Sequence, residues 1–561
     1  MSVEAVKQGS RSLRGSLASD LADHGSPTLS ADSKHLIKFH GIYAQDDRDQ
    51  RRDRARRKVE LAHIFMARAS IPGGVLTADQ WLAMDRLADE VADGSMRLTT
   101  RQGLQFHGVV KTGLRPLVAS LNATLVTTLG ACGDVVRNTM SCPAPLPDRR
   151  NARLHDLAQM LASRFRPQTR AYAEIWLDGE KAATFEESAD AESEPLYGSV
   201  YLPRKFKIAV AWPGDNCVDV YANDLGVVPA EHPDHGPGFV ILVGGGLGMN
   251  HAHEGTYPRL ASPMAWVEEA ELGDVAEAVL IAFRDHGDRS DRKRARLKYV
   301  IEDRGLAWFR TEVESVLGRP LLDPIELPEW DADHAHVDHL GWHDQGDGRW
   351  FLGVHVPSGR IRDHREGEGL KSAIREITTN FSPVLRITPN QDLLISDLPA
   401  SAGSEVDGIL AGHGVIAAAS LTPTRRHVLA CPALPTCGQA LGEAERVLPQ
   451  VLDIIDTELA ERGLAHVGLQ LRVTGCPNGC ARPYTAELGL VGRSKNTYDI
   501  HVGGSPLGTR LGGIFQTGVK LDDLASSLGP LLDQWRDERK DDESFGDFAH
   551  RMAADSGGSR R

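Results

Sequence analysis

An α+β fold built from two duplicated halves is predicted by two features of this 561-residue sequence. Strand-like and helix-like segments are mixed along the whole chain. Three short segments also recur in the same order in its first and second parts, which indicates an internal duplication. The paired segments are residues 65–74 with 351–359, 97–102 with 385–391, and 243–248 with 502–508.

Local patterns predict individual elements of this fold. Alternating apolar residues predict strands over residues 103–110, 207–212 and 392–396. Apolar residues at helical spacing predict one helix just after the first cysteine pair, and they are Leu448, Val451, Leu452, Ile455 and Leu459.

The length of the chain predicts two to four domains. We expect a small module followed by a larger one in each half, at 35–128 and 129–327, and then at 347–415 and 416–555. The acidic, His-rich residues 328–346 are expected to link the halves. Residues 1–34 are rich in Ser, Ala and Gly and lack the apolar core of a secretory signal, so we expect a disordered tail on a cytoplasmic protein.

The composition excludes several classes of protein. Hydrophobic residues make up 41% and charged residues 25% of the chain, which is typical of a globular protein. The sequence has no run of about 18 apolar residues, which is the length that a membrane span needs. The net charge of −14 argues against nucleic-acid binding. An anionic substrate would therefore need a locally basic pocket.

Four of the seven cysteines form one pattern. Cys431 and Cys437 are spaced C-x5-C, Cys476 and Cys480 are spaced C-x3-C, and Gly and Pro surround both pairs. Four thiolates can bind an iron–sulfur cluster or a tetrahedral zinc ion. Zinc sites usually use tighter pairs than C-x5-C, so the spacing favours a 4Fe–4S cluster and leaves zinc or unrelated buried thiols as alternatives.

The other three cysteines do not extend this pattern. An odd number of cysteines in a long chain does not suggest a disulfide framework, and metal-binding thiols require a reducing compartment. We expect the three to be buried or incidental rather than ligands, and they are Cys132, Cys142 and Cys217.

The glycine run at 244–248 is not a dinucleotide fingerprint. It reads G-x-G-x-G, whereas a Rossmann turn requires G-x-G-x-x-G before a helix. We expect it to approach a flat cofactor or another loop closely. Since the chain has no flavin or nicotinamide motif, electrons for any redox reaction must come from a partner.

The cysteines lie in two motifs that resemble a known signature. Cys431-Pro-Ala-Leu-Pro-Thr-Cys437 and Gly475-Cys476-Pro-Asn-Gly-Cys480 closely resemble the paired signature of the sirohaem sulfite and nitrite reductases. The resemblance runs from about residue 36 to residue 548. It implies a small ferredoxin-like module and a larger mixed α/β module in each half, and a 4Fe–4S cluster whose last ligand, Cys480, also bridges to the iron of a sirohaem.

Cationic residues in four further segments match the same family. Any one of them taken alone could be a solvated charge at a strand edge. The resemblance implies that one set binds a small oxyanion, and this set is Arg68, Arg137, Lys205 and Lys207. A second set matches positions near the macrocycle, and this set is Arg101, Gln105, His107 and Arg204.

The resemblance implies the catalytic subunit of an assimilatory sulfite reductase, which reduces sulfite to sulfide with six electrons. Residues 170–178 match the haemoprotein branch, and nitrite-preferring relatives tend to have asparagine in place of Lys207. A ferredoxin-dependent nitrite reductase is the alternative enzyme, and a zinc-stabilised binding module is the non-enzymatic alternative. The electron donor is expected to be ferredoxin or an NADPH flavoprotein reductase, and residues 133–145 resemble the ferredoxin-dependent members more closely.

Overall fold

A computed structural model of the chain describes residues 2–177, 194–327, 330, 338–365 and 367–555. The strands are β1 Ile42–Asp46, β2 His63–Ala69, β3 Val75–Leu76, β4 Met96–Leu98, β5 Leu104–Val109, β6 Ile208–Val210, β7 Leu225–His232, β8 Gly236–Val243, β9 Ser262–Val267, β10 Gly341–Asp344, β11 Arg349–Val354, β12 Arg360–Ile361, β13 Asp363–Arg365, β14 Glu368–Gly369, β15 Val384–Ile387, β16 Leu393–Pro399, β17 Leu429–Ala430, β18 Leu471–Thr474, β19 Leu488–Ser494, β20 Thr497–Val502 and β21 Gly513–Lys520.

Helices and strands are mixed along the chain, and most paired strands are antiparallel, the exceptions among the described strands being three parallel pairs, which is typical of an α+β fold. The helices are α1 Val3–Gln8, α2 Leu17–Ala22, α3 Ala31–Leu36, α4 Arg51–Arg56, α5 Ala78–Val91, α6 Leu114–Ala123, α7 Arg150–Arg164, α8 Ala171–Trp176, α9 Leu272–His286, α10 Leu297–Arg304, α11 Leu306–Leu317, α12 Leu370–Phe381, α13 Gly403–Gly412, α14 Pro423–Arg426, α15 Leu448–Glu461, α16 Leu524–Glu538 and α17 Phe545–Asp555. In the described part of the chain, none of these helices has the length and apolarity to cross a membrane.

The two small modules exchange edge strands. Their sheets have the strand orders β1-β2-β5-β4-β12 and β10-β11-β16-β15-β3. Leu76 of β3 pairs with Leu385 of the second sheet, and Ile361 of β12 pairs with Met96 of the first. Since each half completes the sheet of the other, the two small modules form one interlocked unit.

The two larger modules share a topology. In one sheet β6 and β7 are parallel and β8 and β9 follow antiparallel, and in the other β18 and β19 are parallel and β20 and β21 follow antiparallel. The strands β8 and β20 each end at a valine followed by a glycine of positive φ, +84° at Gly244 and +86° at Gly503. The third sequence repeat therefore marks equivalent positions in the two halves.

The elements predicted from local patterns are confirmed. The predicted strands correspond to β5, β6 and β16, and the predicted helix is α15, whose five apolar positions are all buried. Pro449 lies in the first turn of this helix, where a missing N–H costs no hydrogen bond.

The predicted disordered tail is wrong, because residues 2–34 carry helices that are fastened to the rest of the protein. Leu13 and Leu17 are completely buried. Lys7 Nζ donates to Leu202 O at 2.9 Å and lies 3.6 Å from Asp134 Oδ2. The apolar residues of this segment are too sparse to form a sequence pattern, and the partners of Lys7 lie more than a hundred residues away.

The predicted linker at 328–346 is partly outside the described residues, since 328–329 and 331–337 are not described. Its last part is not a linker. Strand β10 begins at Gly341 and pairs with β11 in the second small sheet.

Candidate active site

The four patterned cysteines lie at one edge of the second larger sheet. Cys431 and Cys437 follow β17, and Cys476 and Cys480 follow β18. Because these strands are adjacent and parallel, both loops leave the sheet at the same edge. Gly475 N donates to Cys431 Sγ at 3.3 Å. A side chain at Gly475 would place its Cβ 2.5 Å from that of Ala433, so the close approach of the loops requires glycine.

The four thiols are close enough to influence one another. Burial, followed by the charge of Cys480, raises the pKa of Cys431 and Cys437, and the same causes raise the pKa of Cys476 to about 12. Protein charges alone therefore do not create these thiolates. A bound metal would supply the positive charge that displaces their protons.

The spacing of the sulfurs argues against a single zinc ion. Among the described residues, no three of these four sulfur atoms lie within 4.8 Å of one another. A tetrahedral zinc ion with Zn–S bonds of about 2.3 Å would hold its sulfurs about 3.8 Å apart. The wider arrangement suits a multi-atom cluster. Cys480 is also the one exposed member of the set, so its sulfur can reach a second group.

Arg68 is positioned by the central strands of the first small sheet. It pairs in register with Gln105 of β5. In the amide orientation that satisfies both groups, the Gln105 side-chain oxygen accepts from Arg68 Nε at 3.2 Å and Nη2 at 2.6 Å. Arg68 Nη1 also donates to Cys132 Sγ at 3.2 Å. Cys132 is buried as expected, but this contact shows that it is not incidental.

Two further arginines are fixed by hydrogen bonds to loops. Arg137 Nε donates to Gly133 O at 2.8 Å, and its side chain also hydrogen-bonds to Tyr43. Arg101 Nη2 donates to Ile208 O at 3.0 Å, which joins the loop before β5 to strand β6. Burial lowers the pKa of Arg101 to about 9.

Lys205 and Lys207 immediately precede β6 and face the cations of the site. Phe206 between them is fully buried, as the alternation along a strand predicts. Burial and then Lys207 lower the pKa of Lys205 well below its usual value. Burial, then Arg101, lowers the pKa of Lys207 to about 7. Lys207 can therefore exchange protons near neutral pH, and Lys205 gives up its proton more readily than an exposed lysine does.

Several buried polar groups at the site have no partner among the described residues. His107 is 2% exposed, yet neither ring nitrogen forms a hydrogen bond, and Arg101 Nε also lacks an acceptor. Burial, together with Arg360 and other cations, lowers the pKa of His107 well below its usual value, so the ring is neutral. Arg204 lies 3.8 Å from Asp134, and burial lowers its pKa to about 10. Unpaired buried groups are rare, and a macrocycle bearing carboxylates would satisfy them.

The structure brings the predicted residues of both sets together with the cysteines. Electrostatic interactions join Cys480 to Lys205 and Lys207, and Lys207 to Arg101. They also join Arg68 to His107. Thr100 Oγ1 donates to the Cys480 carbonyl at 2.9 Å, which ties the Arg101 loop to the cysteine loop.

Sequence reasoning missed three residues behind the lysines. Arg296 is 7% exposed and forms a bidentate pair with Asp224, with Nη2 at 2.9 and 2.8 Å from the two carboxylate oxygens. Lys298 Nζ donates to the carbonyls of Gly246 and Gly248 at 2.9 and 2.8 Å. The glycine run at 244–248 could have indicated the Lys298 contact. A Cβ at Gly245 would lie 2.1 Å from Tyr221 O, which confirms the expected close approach to another loop.

Comparison with known proteins finds two matching domain families. The ferredoxin-like half domain of nitrite/sulfite reductases matches residues 58–124 and again 343–412, which supports the duplication. The nitrite and sulphite reductase 4Fe-4S domain matches residues 157–321, in the first larger module. The four cysteines lie in the second larger module, which has the same topology.

Full-length relatives match almost the entire chain. The "Sulfite reductase [NADPH] hemoprotein beta-component" of Myxococcus xanthus is 44% identical over 98% of this chain and 96% of its own length. The protein of the same name from Geobacillus kaustophilus is 41% identical over 98% and 95%. Among solved structures, the NirA protein of Mycobacterium tuberculosis matches with a TM-score of 0.76 and 25% identity over 96% of this chain and 94% of its own.

Proposed function

The chain belongs to the nitrite and sulfite reductase family, and from that membership we propose that it is the catalytic subunit of an assimilatory sulfite reductase. The reaction is the six-electron reduction of sulfite to sulfide. The observation that carries the proposal is the placement of Cys480, the one exposed cysteine of the four, beside Lys205 and Lys207.

The residues fit the two prosthetic groups that this family membership implies. Cys431, Cys437, Cys476 and Cys480 would hold the 4Fe–4S cluster, with Cys480 shared with the iron of the sirohaem. The unpaired nitrogens of His107 and Arg101 support contacts to the macrocycle, and we place Gln105 and Arg204 in the same group. When bound, the coupled groups supply electrons to the sulfur atom of the substrate.

We assign the substrate to a group of four cations, with two roles. Arginine stays charged at all relevant pH values, so Arg68 and Arg137 would orient the oxyanion. Lys205 and Lys207 have a lowered pKa, so they would also donate protons as S–O bonds break and water leaves. All four together would withdraw electron density from the substrate oxygens.

Sulfite is favoured over nitrite by its charge. In the described part of the chain, no carboxylate forms an ion pair with Arg68, Arg137, Lys205 or Lys207, so whatever positive charge they carry is not neutralised by the protein. A dianion gains more from this field than the monoanion nitrite does. Nitrite remains the second candidate substrate.

The electron donor is proposed to be an NADPH-linked reductase, because relatives 40–44% identical to this chain carry NADPH in their names. Residues 133–145, which resemble the ferredoxin-dependent members, give weaker support for ferredoxin as the donor. Residues 133–144 are buried apart from the half-buried Arg137, so they do not form a docking face. Sulfide production from NADPH should therefore require a flavoprotein reductase, and activity with reduced ferredoxin alone would overturn this choice of donor.

Cofactor analysis tests the proposed function directly. Protein purified without oxygen should contain about five irons per chain, four in the cluster and one in the haem, and should show sirohaem absorption bands. An iron-free protein with zinc bound to the four patterned cysteines would overturn the proposal and favour the zinc-stabilised module.

A further inference from the structure

A second group of potential metal ligands lies outside the active site. Cys142 Sγ and His339 Nε2 are 3.3 Å apart, and the same nitrogen lies 3.3 Å from Asp215 Oδ2. The ligand atoms of these three residues all lie within 4.8 Å of one another. Cys217 lies beside these three residues and its thiol interacts with both Cys142 and Asp215, but its sulfur is not within 4.8 Å of all three ligand atoms.

Three distant segments build this group inside the protein. Cys142 follows Met140, which forms a bridge with Ala209 of β6. Asp215 and Cys217 lie in the turn after the same strand, and His339 directly precedes the second small module. The four exposed fractions are only 1% for Cys142, 7% for Asp215, 2% for Cys217 and 4% for His339.

We propose that Cys142, Asp215, Cys217 and His339 form a structural zinc site that fastens the start of the second half to the first larger module. Two thiolates, an imidazole and a carboxylate form a closed tetrahedral set of the type that zinc prefers. With Zn–S bonds of about 2.3 Å and Zn–N or Zn–O bonds of about 2.0–2.2 Å, neighbouring ligand atoms lie about 3.3–3.8 Å apart. The two measured separations of 3.3 Å agree with this geometry.

Surrounding groups orient the proposed ligands. Asn151 Nδ2 donates to Cys142 Sγ at 3.3 Å, and Cys217 N donates to Asp215 Oδ1 at 3.0 Å, which leaves Oδ2 for the metal. The Cys217 carbonyl accepts from Arg482 Nη1 at 2.8 Å, only two residues after Cys480. A zinc ion here would therefore also support the loop that carries Cys480.

Metal analysis of the full-length holoprotein, expressed with zinc and freed of loosely bound metal, tests this site. We expect about one zinc per chain besides the iron, and zinc X-ray absorption should show two sulfurs at about 2.3 Å and two lighter ligands at about 2.0–2.1 Å. Cys217→Ser and His339→Ala should each lower the zinc content to about a tenth without changing the iron content.

A matched control removes another His–Asp pair. His355 Nδ1 lies 2.9 Å from Asp392 Oδ1 with no sulfur in the pair, so His355→Ala should keep its zinc. The X-ray absorption result stands even if a variant fails to fold. The proposal would be overturned by holoprotein without zinc, by a four-sulfur zinc shell, by a disulfide between Cys142 and Cys217, or by zinc that persists in both variants.

Discussion

Lys207 contacts Asp224 through its backbone amide and not through its ammonium group. The Lys207 amide donates to Asp224 Oδ2 at 2.9 Å, while Arg296 occupies both carboxylate oxygens. Within the described residues, the Lys207 ammonium therefore has no carboxylate partner of its own. Burial, then Arg101 and Arg296, lowers its pKa to about 7. The charge of Lys207 therefore changes as the pH passes through neutrality.

The titration of Lys207 should produce an inflection in the pH dependence of kcat/KM. Lys207 is protonated below its pKa of about 7 and loses its charge as the pH rises, so kcat/KM should fall above neutral pH. Bound carboxylates of the macrocycle would move this inflection upward. Since sulfite itself gains a proton near neutral pH, nitrite should be run as the comparison substrate.

The control for this profile is Lys207→Arg, which keeps the positive charge over the whole range. Its profile with nitrite should lose the inflection. An inflection that persists unchanged in the arginine variant would assign the titration to another group.

Lys207→Asn should shift substrate preference towards nitrite. Loss of one charged hydrogen bond to the dianion corresponds to about a tenfold fall in the sulfite-to-nitrite ratio of kcat/KM. The matched control is Lys520→Asn, at an exposed lysine of β21, which should leave the ratio unchanged. Equal ratios in both variants would show that Lys207 does not discriminate.

Cys480→Ser should disrupt the coupled cofactors. Its thiolate is assigned to two metal centres, so the variant should lose the sirohaem bands and sulfite reduction, as optical spectra and iron analysis would show. Cys132→Ser keeps a small hydrogen-bond acceptor for Arg68 and should retain its iron and its spectrum. Normal spectra in the Cys480 variant would refute the ligand assignment.

Lys7→Ala should destabilise the protein, because Lys7 fastens the N-terminal segment to the first larger module. Lys7 is 1% exposed, and its removal leaves Leu202 O and Asp134 with one partner fewer. We expect a loss of about 3 kcal/mol, measurable as earlier unfolding in denaturant. Arg11→Ala, at an exposed position of the same segment, should have little effect. Equal stability of the two variants would mean that the contacts of Lys7 contribute nothing to the stability of the fold.

Much of the candidate site is predicted from the sequence because its residues lie in short motifs. The cysteine pairs, Arg68 and Lys205 lie in segments whose residue types identify them, and the repeated segments predicted the duplication. Arg296 and Asp224 carry no such signal, because their role depends on a contact between residues 72 positions apart.

Sequence reasoning failed for segments whose structure depends on packing against distant residues rather than on their own composition. Residues 2–34 look like a polar tail, yet Leu13, Leu17 and Lys7 are buried against other parts of the protein. Strand exchange was also hidden, since β3 and β12 are two residues long and no periodicity can appear in so few positions. The group around Cys142 is assembled from three segments, and spacing along the chain does not reveal it.

Anaerobic reduction of sulfite with a reduced viologen dye tests the central claim most directly, because the dye replaces any protein donor. The measurement is the sulfide formed per dye oxidised. We expect one sulfide for every six dye molecules, since each dye carries one electron and the reaction takes six. Dye oxidation dependent on nitrite but not on sulfite, or none with either anion in iron-loaded protein, would contradict the assignment.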